Sequence, residues 1–93
     1  AIVLGATGQG EAMVANRRHG VRAIVYYGGP TEIVRLGRLH NAANVLSLGA
    51  APGDTIAEGV PMDENHAKEV VTLFLATDFT GEERHVRRIG KID

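Results

Sequence analysis

Three observations predict an α/β domain built on a parallel sheet. Short apolar runs alternate with amphipathic stretches of helical length, glycine marks most of the changes between them, and a glycine-rich turn joins the first apolar run to the first helix. The predicted architecture is a three-layer α-β-α, Rossmann-like parallel sheet. Residues 1–93 supply a β-α-β-α-β-α-α portion of a single domain.

Ala1–Leu4 reads as a buried strand, Gln9–His19 as a helix stopped by Gly20, and Arg22–Tyr27 as a second strand ended by Gly28-Gly29-Pro30. Thr31–His40 follows as a helix with Ile33, Val34, Leu36 and Leu39 inward, and Asn44–Leu48 is a third strand bounded by Gly49. Gly49–Pro61 has no periodicity, and it is long for an α/β connection, where about two to six residues are usual. Asp63 is placed to cap a helix whose apolar positions Ala67, Val70, Val71, Phe74 and Leu75 follow helical spacing. Arg84–Ile92 forms a short basic helix with Val86 and Ile89 available for packing. The first strand begins at Ala1, and a parallel sheet with a strand exposed there implies neighbours upstream, so a fragment is expected.

A chain of 93 residues makes one small domain that buries about 65% of its unfolded surface. With 44% apolar residues, 23% charged residues and a net charge of −1, it reads as an ordinary globular protein with no pull toward nucleic acid. No apolar run approaches the roughly 20 residues of a membrane span, and no signal peptide is visible. The absence of cysteine removes disulfides, thiolate nucleophiles and cysteine zinc sites, which fits a reducing, cytoplasmic setting. Four scattered histidines have no metal-ligand spacing, and His19 and His66 read as surface residues.

The turn Gly5-Ala6-Thr7-Gly8-Gln9-Gly10-Glu11 delivers a strand end to a helix N-terminus. Glycines at 8 and 10 let main-chain N–H groups converge on an anion there, where the helix dipole also favours negative charge. Glu11 stands in that first turn either as a favourable dipole partner or as a catalytic base beside an oxyanion cradle. The string Gly5-Ala6-Thr7-Gly8 also looks like the start of a dinucleotide-binding domain. However, Glu11 replaces the glycine usual three residues past Gly8, and the second strand ends Val25-Tyr26-Tyr27-Gly28 without an acidic residue for a ribose.

His40-Asn41 closes the second helix, where Asn41 can serve as a C-cap and His40 complements the dipole. His40 lies at the N-terminal edge of the sheet and the Gly5–Glu11 turn at its C-terminal edge. A helix of about ten residues spans roughly 15 Å, so a site using both His40 and Glu11 needs a second subunit. Arg84 and Arg88 are four apart on one helix face, suited to phosphate oxygens or to a solvated end beside Glu82-Glu83, while His85 and Arg87 point elsewhere. Tyr26 and Tyr27 read as strand packing rather than substrate stacking.

Taken together, these residues resemble the B-type ribose-5-phosphate isomerases, a family that includes galactose- and allose-6-phosphate isomerases. The resemblance runs over nearly the whole chain. It rests on the glycine-rich turn, Ala15-Asn16-Arg17, Leu39-His40-Asn41-Ala42-Ala43-Asn44-Val45-Leu46, and Phe79-Thr80-Gly81-Glu82-Glu83-Arg84-His85-Val86-Arg87-Arg88-Ile89. One branch of the family uses a cysteine after the first strand as its base, where Gly5 stands here; the other uses a glutamate that falls on Glu11.

The resemblance implies an aldose-ketose isomerase acting on ribose 5-phosphate through an enediolate, without metal, nucleotide or other cofactor. Glu11 is implied as the proton-shuttling base, with Thr7 and the N–H groups around Gly8 and Gly10 at the enediolate oxygen. His40 is implied in ring opening, Asn41 in holding a substrate hydroxyl, and Arg84 and Arg88 in binding phosphate. It further implies a homodimer or dimer of dimers with sites shared across subunits. Three departures stand out. The family's N-terminal βαβ portion, with an Asp-His pair on its first strand, is absent from these residues, so the chain alone is expected to be inactive. Ala51 replaces an arginine that commonly binds phosphate, and the loop at Pro52–Pro61 is long. A hexose-6-phosphate isomerase subunit and a non-catalytic nucleotide- or sugar-phosphate-binding module are the alternatives.

Overall fold

The computed structural model describes residues 1–50 and 63–92. The elements are β1 (Ile2–Gly5), α1 (Gln9–Ala15), β2 (Ala23–Tyr26), α2 (Glu32–Asn41), β3 (Val45–Gly49), α3 (Glu64–Ala76) and α4 (Glu83–Ile89). The sheet is parallel in the order β1-β3-β2, with Gly5 opposite Gly49 and Tyr26 opposite Leu48. This is the predicted α/β architecture. Most of the expected Gly49–Pro61 loop, including Ala51, lies outside the described residues.

β3 is central, and its alternation divides the core. Leu46 and Leu48 pack with Tyr26, Val34, Val70 and Phe74 beneath α2 and α3, whereas the buried Ser47 meets the turn before α1 on the other face. Helix α3 starts as its sequence predicts, because the Asp63 carboxylate accepts from the His66 N–H at 2.7 Å.

Four sequence expectations are corrected. Helix α1 ends at Ala15 rather than His19. The Asn16 side chain leaves to pair with the main chain of Ala23, accepting at 2.6 Å and donating at 3.1 Å, and the following residues turn instead. In α2, Val34 is buried but Ile33 and Leu36 are exposed, at 51% and 37%. The helix faces the sheet through Gly37, where a Cβ would come within 2.7 Å of Ile24, and that close approach turns Ile33 and Leu36 to the flanks. Leu75 likewise leaves the buried face of α3, while Val70 and Phe74 stay on it. In α4 the packed positions are His85 and Ile89, four apart, and Val86 is exposed.

Candidate active site

The predicted site residues form two groups at opposite ends of the sheet. Thr7, Gly8, Gly10 and Glu11 stand at the C-terminal ends of β1 and β3. His40, Asn41, Arg84 and Arg88 gather where α2 and α4 meet before β3 begins. The five residues of β3 between them extend about 16 Å.

The turn at the first end is built from backbone. Gly8 precedes α1 in the left-handed region, at φ 79°, and its carbonyl accepts from Ser47 Oγ at 2.6 Å and from the Ala12 N–H at 3.1 Å. Thr7 Oγ1 accepts from the Gln9 N–H at 3.2 Å, tightening the entry to the helix. Gly49 permits the approach of the turn to β3, since a Cβ there would lie 2.5 Å from the Thr7 carbonyl oxygen. Glu11 lies in the first turn of α1, and its carboxylate folds back over Gly5, occupying the volume a Cβ at Gly5 would need. The side chain is exposed, so the carboxylate is open to an incoming molecule while the main chain beneath it is fixed.

At the second end His40 is half-buried and Asn41 is exposed as the last residue of α2. Ala42, rather than Asn41, closes the helix, in the left-handed region at φ 49°. Two guanidinium groups hold this turn. Arg22 Nε donates to the Ala42 carbonyl at 2.9 Å, and Arg38 donates to the carbonyls of Ala43 at 2.6 Å and Thr77 at 2.9 Å. Such charge-assisted bonds explain how a non-glycine residue is kept at positive φ.

The His85 imidazole lies against His40 with ring centroids 4.4 Å apart and planes 15° from parallel. Burial is the main influence holding its pKa below the usual histidine value; His40, Arg84 and Arg88 add repulsion, which Glu82 partly offsets. Arg84 and Arg88 are exposed on α4, and Arg84 pairs with Glu82 at 3.0 Å.

A family profile for ribose/galactose isomerases matches residues 1–92. The chain belongs to the ribose/galactose isomerase family. Ribose-5-phosphate isomerase B of Mycobacterium leprae is 35% identical over 88 residues, covering 95% of this chain and 48% of that protein. The solved structure of ribose 5-phosphate isomerase B from Thermotoga maritima matches with a TM-score of 0.79 at 39% identity, covering 99% of this chain and 55% of that one. The corresponding Anaplasma phagocytophilum structure gives a TM-score of 0.77 at 32% identity, with coverage of 99% and 55%. The chain spans about half the length of the curated relatives it matches.

The two positions that the family resemblance offers for a base, Gly5 and Glu11, are neighbours in space. Sequence reasoning missed three residues around the groups. Ser47 was detectable as a small polar residue inside an apolar strand. His85 was detectable from its four-residue spacing to Ile89, although it was expected to point elsewhere. His66 is not a free surface residue: its Nε2 lies 2.7 Å from the Tyr26 hydroxyl, which also donates to the Gly29 carbonyl and ties α3 to the end of β2.

Proposed function

We propose that the protein containing this chain interconverts ribose 5-phosphate and ribulose 5-phosphate by acid-base catalysis, with residues 1–93 forming part of its single isomerase domain. The observation that carries the proposal is the exposed Glu11 carboxylate at a strand end, beside main-chain N–H groups at a helix start. A carboxylate there moves a proton between C1 and C2 of the open-chain sugar. Thr7 and the N–H groups around Gly8 and Gly10 take the negative charge that develops on the enediolate oxygen. His40 assists ring opening, Asn41 holds a substrate hydroxyl, and Arg84 with Arg88 binds the phosphate through guanidinium forks.

The separation of Glu11 from His40 supports a dimer in which one subunit's turn faces the other's α2 and α4. A phosphorylated sugar is then the ligand, with neither nucleic acid nor membrane as partner. No helix among the described residues is long and apolar enough to cross a membrane, and the proposed setting is the cytoplasm.

The test is steady-state kinetics of the full-length protein with ribose 5-phosphate. Glu11→Gln should lower kcat by about 10²–10⁴-fold, the range expected for losing a general base, with KM nearly unchanged. Arg88→Ala should mainly raise KM, as loss of uniform phosphate binding does. Near-normal turnover in Glu11→Gln would overturn the proposal.

A further inference from the structure

His85 has no role in the reaction as described, yet it is the buried charged-type side chain of the second group. It is 6% exposed, and its Nε2 is buried without a hydrogen-bond partner among the described residues, the Glu82 carboxylate standing 3.8 Å away. A buried imidazole nitrogen left without a partner carries a desolvation cost. What the ring does in return is visible in its placement. It lies flat against His40, from the helix that packs on the end of α2.

We propose that His85 is a positioning residue for His40: its ring forms the floor on which the His40 imidazole rests, and the two stacked rings are electrostatically coupled. This inference rests on the ring-opening role of His40.

Parallel imidazoles at this spacing attract as neutral rings or as one ring and one imidazolium, and repel when both are charged. The surrounding charges bear on His85. His85 faces His40 from α2, and Arg84, Arg88 and Glu82 from its own segment; burial, the His40 ring and the two guanidinium groups act against protonating His85, and only Glu82 favours it. His40 is the ring with access to solvent, so exchange of a proton with a substrate oxygen falls to it, while His85 stays neutral beneath. Fixing the plane of His40 matters because misplacing a catalytic group by about 1 Å can cost about a hundredfold in rate.

The experiment uses the full-length protein with isotope-labelled histidine, followed by NMR titration and by kinetics. In wild type, the His85 ring should titrate below the ordinary histidine range. In His40→Phe, which keeps a ring but removes its charge, the His85 midpoint should move upward. An unchanged midpoint overturns the coupling. His85→Ala should lower kcat by about tenfold to a hundredfold with little change in KM, and His85→Phe should restore most of it, because a flat ring again supports His40. Wild-type kcat in His85→Ala, or no rescue by Phe, overturns the positioning role. The titration reads the pair whether or not ribose 5-phosphate is turned over. An inactive wild type with coupled rings would therefore count against the proposed reaction and not against the pairing.

Discussion

The two ends of the sheet are organised by opposite means. The turn carrying Glu11 is shaped by what is missing: Gly5 leaves room for the carboxylate, Gly8 takes a positive φ, and Gly49 lets the Thr7 carbonyl sit against β3. The end carrying His40 is shaped by side chains: Arg22 and Arg38 clamp the carbonyls of Ala42 and Ala43, and His85 supports the imidazole. The difference follows from what each end presents. On the proposed function, the first end is an oxyanion cradle of main-chain N–H groups, which side chains would obstruct, and the second presents one imidazole that packing must hold in orientation. The first end should therefore fail when an atom is added, and the second when atoms are removed.

The largest effect is expected from adding one carbon at the first end. In Gly49→Ala the new Cβ meets the Thr7 carbonyl oxygen at 2.5 Å and Tyr27 Cβ at 2.7 Å, and neither belongs to a flexible side-chain tip. Either β3 or the turn must move, at a cost of about 3 kcal/mol, the upper part of the range for overpacking. Urea unfolding of the full-length protein measures it. A midpoint equal to wild type would mean that the turn does not depend on close backbone approach.

Removing donors at the second end is expected to cost somewhat less. Arg38→Met keeps an apolar stem against Phe74, over whose ring the guanidinium now stands at 4.7 Å. It leaves the carbonyls of Ala43 and Thr77 without their donor, for a loss of about 2 kcal/mol. The same variant should disturb the His40 ring resonances while leaving those of Glu11 in place. Equal disturbance at both ends would break the contrast between them.

Legibility in the sequence followed the same division. The glycine turn was readable because glycine and a helix start impose their geometry locally; Glu11 stood out there as a carboxylate in the first helical turn, while its reading as a base came from the family resemblance and not from spacing. The Asp63 cap and the buried Val70 and Phe74 were readable for the same local reasons. The stacking of His40 and His85 was not, because it joins residues 45 positions apart through the packing of α4 on α2, which no local period encodes. The orientation of α2 was also hidden. Apolar count favoured Ile33 and Leu36 as inward positions, while the close approach of the helix at Gly37 decided otherwise.

The smallest effect, and the one that isolates His85, is the dependence of stability on pH. Its pKa in the folded protein lies below the ordinary 6.5, which the unfolded chain recovers, so between the two values the unfolded state binds more protons. Stability attributable to His85 therefore rises with pH through that window; it is complete above the unfolded value and lost as pH falls toward the folded one. Carboxylates contribute a slope of the same sign at lower pH, but they are common to wild type and His85→Phe and cancel in the difference. Urea midpoints for both proteins between about pH 5 and pH 7.5 test this. Wild type should lose more stability toward the acid side than His85→Phe, and the two should run parallel above the histidine range. Parallel curves throughout would mean that His85 is free to charge in place, and the contrast between an open carboxylate end and a packed imidazole end would lose its electrostatic part.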